Sequence, residues 1–270
     1  GILFAQHAAI ASLPAAGVDI TGAAAPAAAI GHSQGVLGVA LLQALTRADT
    51  IDEEQVVEVH AIARLIGAAA ARDTRRLDLG TVGESTPMLS VRGVTRQVLD
   101  AVLSRVPGAE SLSIGVTNGR QAHILSGRPA ELEAVVSALE AAARRSANDR
   151  KERRRGGAVL NPVTEFLVTS VPFHTPLLAP AVEDVVAWAE RAGLNTTLAR
   201  ELAVAVLIDP VDWPALVDQA LASTGSRLVV DLGPGTVLTR LTEAIVAGTG
   251  TTVIPAGTAR SIDDLDRPGA

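Results

Sequence analysis

The chain has 270 residues, with 23 Lys and Arg against 29 Asp and Glu, a formal net charge of −6. That balance argues against nucleic acid as a general partner, since phosphate binding needs a basic face. The absence of cysteine excludes disulfides, a thiol nucleophile and thiolate metal sites, while 48% hydrophobic residues with only 2% aromatics predict a core of small aliphatic side chains.

Residues 1–13 read as a helix, apolar at Leu3, Ala9, Ile10 and Leu13 and stopped by Pro14 and Gly17. A buried strand is expected at Pro26–Ile30, then a helix from Val36 to Leu45. A second helix, Glu53 to Arg72, follows the capping signal Thr50-Ile51-Asp52-Glu53. The middle changes character. Met88–Val91 reads as a strand and Arg96–Val106 as a helix. Ser111–Thr117 and Gln121–Ser126 read as strands joined by an Asn118-Gly119 turn. Pro129–Arg145 reads as a helix and Val163–Val171 as a strand. The order βαββαβ is that of a ferredoxin-like unit, expected as an inserted subdomain of residues 86–170.

The last third returns to alternation: helices Val182–Ala192, Leu198–Val206 and Trp213–Ala222, strand Arg227–Leu232, a Gly233-Pro234-Gly235 loop, helix Val237–Val246 and strand Thr251–Ile254. Alternation favours a parallel sheet flanked by helices. The expected fold is therefore α/β, a parallel-sheet, α/β-hydrolase-like core (1–85 and 171–258) carrying the ferredoxin-like subdomain. Residues 259–270 read as a linker to a next domain. Pro14, Asp19, Pro26 and His32 interrupt the Ala-rich stretches, so no run reads as a membrane span, and no signal peptide is visible. The cytoplasm is the expected compartment.

The most informative residues are Gly31-His32-Ser33-Gln34-Gly35, set between two apolar runs. G-x-S-x-G at a strand-to-helix junction is the sequence form of a nucleophile elbow. Its tight turn asks for residues almost free of side chain two before and two after the serine, and it holds the hydroxyl near the positive end of the next helix. An ordinary turn around a structural serine is the alternative. A serine hydroxyl needs a base. His7 and His60 fall on helical stretches and His123 inside a strand, all three read as packing or surface residues. His32 adjoins Ser33 and would point away from it, a poor base. His174, in Val171-Pro172-Phe173-His174-Thr175-Pro176, is presented between two prolines at a strand end, as a general base requires. A loop histidine bonded to backbone is the competing reading.

In order, GHSQG, the ferredoxin-like insertion, VPFHTPLL, Asp209-Pro210-Val211-Asp212-Trp213 and DLGPGTVLTRL make the chain resemble the acyl-CoA:acyl-carrier-protein transacylase family, the acyltransferase domains of fatty acid and polyketide synthases. The wording is most similar to the acetyltransferase domain near the N-terminus of bacterial type I fatty acid synthase. Fungal synthases carry a similar domain. The resemblance implies that Ser33 attacks the thioester of acetyl-CoA while His174 takes its proton. The acyl-serine then passes its acyl group to the phosphopantetheine thiol of acyl carrier protein. No bound cofactor or metal is implied, and the implied partners are acyl-CoA, the carrier protein and other domains of a multienzyme synthase. It further implies an oxyanion hole using the Gln34 backbone N–H, a Ser–His dyad whose imidazole is oriented by a backbone carbonyl just before the Pro210-Val211-Asp212-Trp213 segment, near Val206, and substrate contacts at His32 and Asn118. Asn118 has a second reading as a plain turn residue.

Malonyl-specific relatives carry an arginine on a helix after the elbow, and aligning Ala63-Arg64-Leu65-Ile66-Gly67-Ala68-Ala69 puts Ala69 in its place. Without that fork a malonyl carboxylate would be buried unpaired, so acetyl or another short neutral acyl group is expected. Arg64 then reads as a solvated helix residue. The run Arg150–Arg155 reads either as a solvated loop or as a contact for CoA phosphates or carrier protein. Asp231 and the Gly233-Pro234-Gly235 turn read as shaping the sheet's end. One departure from the family is the lack of its first strand and Gly-Gln-Gly-Ser loop, so the N-terminal part of the core is expected to be missing. Malonyl/palmitoyl transacylases and polyketide synthase acyltransferases are alternatives within the family, while a serine hydrolase and a non-catalytic scaffold module are alternatives outside it.

Overall fold

In the computed structural model the described residues are 2–14, 20, 25–46, 52–148 and 159–256. They fall into two compact units, Gly1–Arg64 with Trp213–Ala270, and Leu65–Asp212. Three helices open the chain: α1 (Ile2–Ser12), α2 (Gly35–Thr46) and α3 (Glu53–Arg76). The cap of α3 is Asp52, whose carboxylate accepts the Gln55 N–H at 3.0 Å. Glu53 and Glu54 in its first turn and Arg75 and Arg76 in its last complement the helix dipole. Thr50, Ile51 and Gly17 lie outside the described residues, as does the linker expected at 259–270.

The second unit carries the expected ferredoxin-like order: β1 (Met88–Arg92), α4 (Arg96–Leu103), β2 (Ser113–Gly119), β3 (Ala122–Ser126), α5 (Pro129–Asn148) and β4 (Val163–Phe166). Thr95, extended, caps α4 by accepting the Val98 N–H at 3.4 Å. The helix ends before Val106 because Pro107 disfavours helical backbone in the residue ahead of it. The strands order β4-β1-β3-β2 with antiparallel neighbours, and β5 (Val211–Asp212) adds a fifth, parallel to β2 through Val116↔Val211 and Thr117↔Asp212. Leu89, Val91, Leu99, Val102, Leu125, Leu132, Val135 and Leu139 form the core between this sheet and α4 and α5.

The register departs from expectation in β2. Ile114 and Val116 face Leu125 and Ile124, then Thr117 and Gly119 face His123 and Ala122. One extra residue is thus inserted at Gly115 and another at Asn118, two bulges in one strand. Their effect moves the hairpin turn from Asn118-Gly119 to Arg120-Gln121. β4 stops at Phe166 rather than Val171, because its partner β1 itself begins at Met88, whose carbonyl takes a last bond from Leu167 N–H at 2.9 Å.

Two helices follow, α6 (Ala179–Arg191) and α7 (Thr196–Leu207). Arg200 grips Glu183 with two bonds of 2.7 and 2.9 Å. On α3, Arg72 pairs with Asp184 and lies 5.0 Å over the Trp188 ring. Gly67 of α3 is exposed with nothing within 4 Å of the place its Cβ would take. Gly67→Ala is therefore expected to stabilise the protein by roughly 0.5–1 kcal/mol, through the entropy that glycine loses in a helix. A rise in the urea midpoint is the check.

The first unit continues with α8 (Trp213–Thr224), β6 (Leu228–Asp231), α9 (Val237–Val246) and β7 (Thr252–Pro255). β6 and β7 pair in parallel, joined by α9, as alternation predicts. The strand expected at Pro26–Ile30 is not formed: residues 26–29 are exposed open chain. Alanine is a poor strand former, and no ladder partner stands beside this segment among the described residues. No helix among the described residues is long and apolar enough to cross a membrane.

Candidate active site

In the first unit, Ser33 stands directly ahead of α2 with φ 54°, a left-handed conformation that costs a non-glycine residue about 1–2 kcal/mol. The turn is held by Gly35 N–H to the His32 carbonyl (2.8 Å), Val36 N–H to that of Ser33 (3.2 Å) and Leu37 N–H to that of Gln34 (3.1 Å). These three bonds engage the first N–H groups of α2, and Gln34, just ahead of them, stands at the positive end of the helix dipole. Gly31 is forced. A Cβ there would lie 2.3 Å from Val36 N and 2.4 Å from Gly35 C. Gly35 is not forced, since its Cβ would meet only Gln6 Nε2, at 4.0 Å. The symmetric need for glycine expected from the motif therefore holds on one side alone.

His32 packs edge-on against Trp213, ring centroids 5.4 Å apart at 71°. Trp213 is buried and donates its indole N–H to Thr242 Oγ1 at 3.1 Å, in a cluster with Val217, Val246 and Ile30. The turn before the serine is thereby tied to α8. Asp231 accepts bonds from Gly233 N–H (2.9 Å) and Thr239 Oγ1 (2.6 Å), shaping the end of β6 as expected. His7 and His60 make a side-chain pair, Nδ1 to Nε2 at 3.0 Å, with the Phe4 ring stacked on His60 at 4.7 Å.

In the second unit, His174 is 1% exposed and holds φ 59°. Its Nδ1 lies 2.7 Å from the Asp209 carbonyl oxygen. A carbonyl can only accept, so Nδ1 carries the hydrogen and Nε2 the basic lone pair. The orienting carbonyl is thus that of Asp209 and not of Val206, which sits inside the last turn of α7, 1% exposed. At this helix end the Leu207 carbonyl accepts the Thr175 N–H at 3.0 Å, and beyond it the Asp209 carbonyl accepts the imidazole. Neither a backbone carbonyl nor the short strand β5 that fixes its place leaves a side-chain signature. The Pro210 that follows Asp209 was the only local signal.

Asn118 is the inserted residue of the second β2 bulge, partly buried, rather than a turn residue. Ala69 is fully buried on the inner face of α3 with Ile66 and Ala70. None of the four arginines of α3 competes for that face: Arg64 and Arg75 are exposed, Arg72 holds Asp184, and Arg76 holds Asp73 at 3.2 Å. His123 is buried in β3, Nδ1 3.3 Å from Thr117 Oγ1, a packing residue as expected. The Arg150–Arg155 run lies outside the described residues. Ser33 and Gln34 thus belong to one unit and His174, Asn118 and Ala69 to the other.

Two histidines resist protonation, His60 through burial and then the neighbouring His7, His123 through burial and then the Arg96 charge. The unfolded chain binds those protons more readily, so stability is full above the ordinary histidine range and falls as pH drops through 6.5. A lower urea midpoint at pH 5.5 than at 7.5 is expected, with a shallower dependence in His60→Gln.

Residues 87–166 match the family model described as the fatty acid synthase central AT domain. The fatty acid synthase beta subunit aflB of Emericella nidulans is 29% identical over 256 residues, 83% of this chain and 12% of that protein. The chain thus spans about an eighth of the length of that curated relative. Among solved structures, malonyl-CoA:acyl carrier protein transacylase of Xanthomonas oryzae superposes with TM-score 0.67 at 22% identity, covering 97% of this chain and 76% of that one. A malonyl-transacylase solved in complex with its type II polyketide synthase acyl-carrier protein gives TM-score 0.67 at 19% identity, covering 96% and 77%.

Proposed function

We propose that this chain, related in sequence to fatty acid synthase acyltransferase domains and sharing the fold of acyl-carrier-protein transacylases, moves an acyl group from CoA to the phosphopantetheine thiol of a carrier protein. The observation that carries the reading is the His174–Asp209 bond, which leaves Nε2 as a base on a rigid loop. Ser33 gives its proton to His174 Nε2 while its oxygen adds to the thioester carbonyl. The Gln34 N–H, at the helix start, stabilises the oxyanion. The C–S bond breaks, and His174 returns the proton to the CoA sulfur. In the second half His174 takes the proton of the pantetheine thiol, the sulfur attacks the acyl-serine, and the proton goes back to Ser33. The exchange of one thioester for another is near-isoenergetic and calls on no cofactor or metal.

The acyl group we favour is acetyl, or a similarly short neutral starter. Every arginine of α3 is exposed or engaged, and the position aligned with the carboxylate-binding arginine is the buried Ala69. A buried, unpaired carboxylate would cost several kcal/mol, by the usual range of about 3–5 for an uncompensated charge. His32 and Asn118 are proposed to border the acyl group. The solved relatives named above act on malonyl groups by their printed names, so the choice is open to test. Incubation of the intact protein with labelled acetyl-CoA or malonyl-CoA, quenching and peptide mapping is expected to put acetyl on Ser33. The label should be lost in Ser33→Ala and discharged by pantetheine faster than by water. Preferential malonyl labelling would overturn the acetyl reading alone. Discharge by water as fast as by pantetheine would favour a hydrolase, and no label at all a scaffold.

A further inference from the structure

We infer that Gly115 is a positioning residue for His174: the first bulge of β2 presents a bare Cα against which the histidine loop rests. A Cβ at Gly115 would lie 2.8 Å from His174 Cβ, 2.9 Å from its carbonyl oxygen and 3.1 Å from Ser126 Oγ. The backbone of Gly115 is outside the left-handed region, so glycine is required there for space and not for conformational freedom.

Nothing on the histidine side can yield cheaply. The two closest atoms are a backbone oxygen and the first side-chain carbon, neither of which a rotamer change moves. The loop is anchored at the next residue and at the ring. Thr175 N–H bonds the Leu207 carbonyl at 3.0 Å, Thr175 Oγ1 meets Ser113 Oγ at 3.2 Å, and the ring is tied to Asp209 at 2.7 Å. β2 holds both ends of this arrangement, because Val116 and Thr117, directly after the bulge, pair with Val211 and Asp212, which follow Asp209 after Pro210 alone. A side chain inserted at Gly115 must therefore push the imidazole off its carbonyl or lift the loop from the sheet. Displacements near 1 Å at a reacting group cost about 10²-fold in rate. The bulge is thus the device that aims the base, a placement common for bulges beside active sites.

The inference rests on the reading of His174 as the base, and the test separates the two. Gly115→Ala and Gly115→Val are made in the intact protein, alone and with His174→Ala, and acyl transfer is followed in the steady state. Turnover is expected to fall by about 10-fold and 10²-fold respectively, graded with side-chain size, while KM for acyl-CoA changes by less than about twofold. In the His174→Ala background neither substitution should slow the residual rate further, since the group they displace is gone. Gly119→Ala, on the same strand with nothing within 4 Å of its Cβ, should behave as wild type. If Gly115→Val does not fold, Gly115→Ala and its double mutant decide alone. Full turnover in both Gly115 variants, or an equal penalty with and without His174, would overturn the positioning role. Full activity of His174→Ala would instead overturn the base.

Discussion

Replacing His174 with alanine is expected to slow acylation of Ser33 by about 10²–10⁴-fold, while Asp209→Ala leaves it within about threefold of wild type. The contrast follows from which atom of Asp209 does the work. Its side chain is exposed, and the bond to the imidazole comes from its main-chain carbonyl, 2.7 Å from Nδ1. Alanine keeps that carbonyl. In an enzyme that orients its histidine with a carboxylate, removing the carboxylate lowers turnover by about 10⁴-fold. Rapid-quench measurement of acyl-Ser33 from labelled acetyl-CoA in the two variants reads the difference directly. A large loss in Asp209→Ala would put the side chain in the mechanism. The same substitution pair also separates a transferase dyad from a hydrolase triad, a distinction the serine motif alone leaves open.

The second large effect is structural. Gly31→Ala is expected to destabilise the first unit by about 3 kcal/mol or more, or to abolish acylation in whatever remains folded. The added Cβ would stand 2.3 Å from Val36 N, 2.4 Å from Gly35 C and 2.6 Å from Val36 Cα, all main-chain atoms of the first turn of α2. Those atoms move only by unwinding the turn that carries Ser33 in its left-handed conformation and aligns the Gln34 N–H. Gly35→Ala, meeting only a flexible amide at 4.0 Å, should change stability by about 0.5 kcal/mol or less. Urea midpoints of the two variants, with Ser33 labelling as the second readout, test the asymmetry. Equal tolerance at both positions would show that the turn is not built around Gly31.

Local pattern reached far in this chain because most elements satisfy one consistent periodicity. The βαββαβ order was legible from alternation and from helix-forming runs such as Pro129–Asn148, and the strand order β4-β1-β3-β2 is the one that order implies. Ser33 was legible as a candidate because an elbow needs small residues at fixed spacing, and His174 as one because prolines bracket it. The exceptions share a cause. Pro26–Ile30 looks like a strand because it is a short apolar run ahead of the glycine-flanked serine, yet a strand exists only where a neighbour supplies hydrogen bonds. Asn118-Gly119 looks like a turn, yet two bulges in β2 carry the strand past it. Val206 is near the right carbonyl in sequence, but the imidazole bonds the Asp209 carbonyl three residues on, after the helix has ended.

The sequence by itself therefore determined which side chains are candidates for chemistry, which segments are helical or extended in most of the chain, and that one glycine-flanked serine and one proline-flanked histidine stand apart. Side-chain identity and periodicity encode those properties directly. Tertiary structure alone decided that Asp209 lends its main chain to His174, that Gly115 leaves room for the histidine loop, and that a Cβ would meet main chain at Gly31 but not at Gly35. Each of these depends on main-chain atoms brought together by strand register and helix ends, and every residue carries the same main chain.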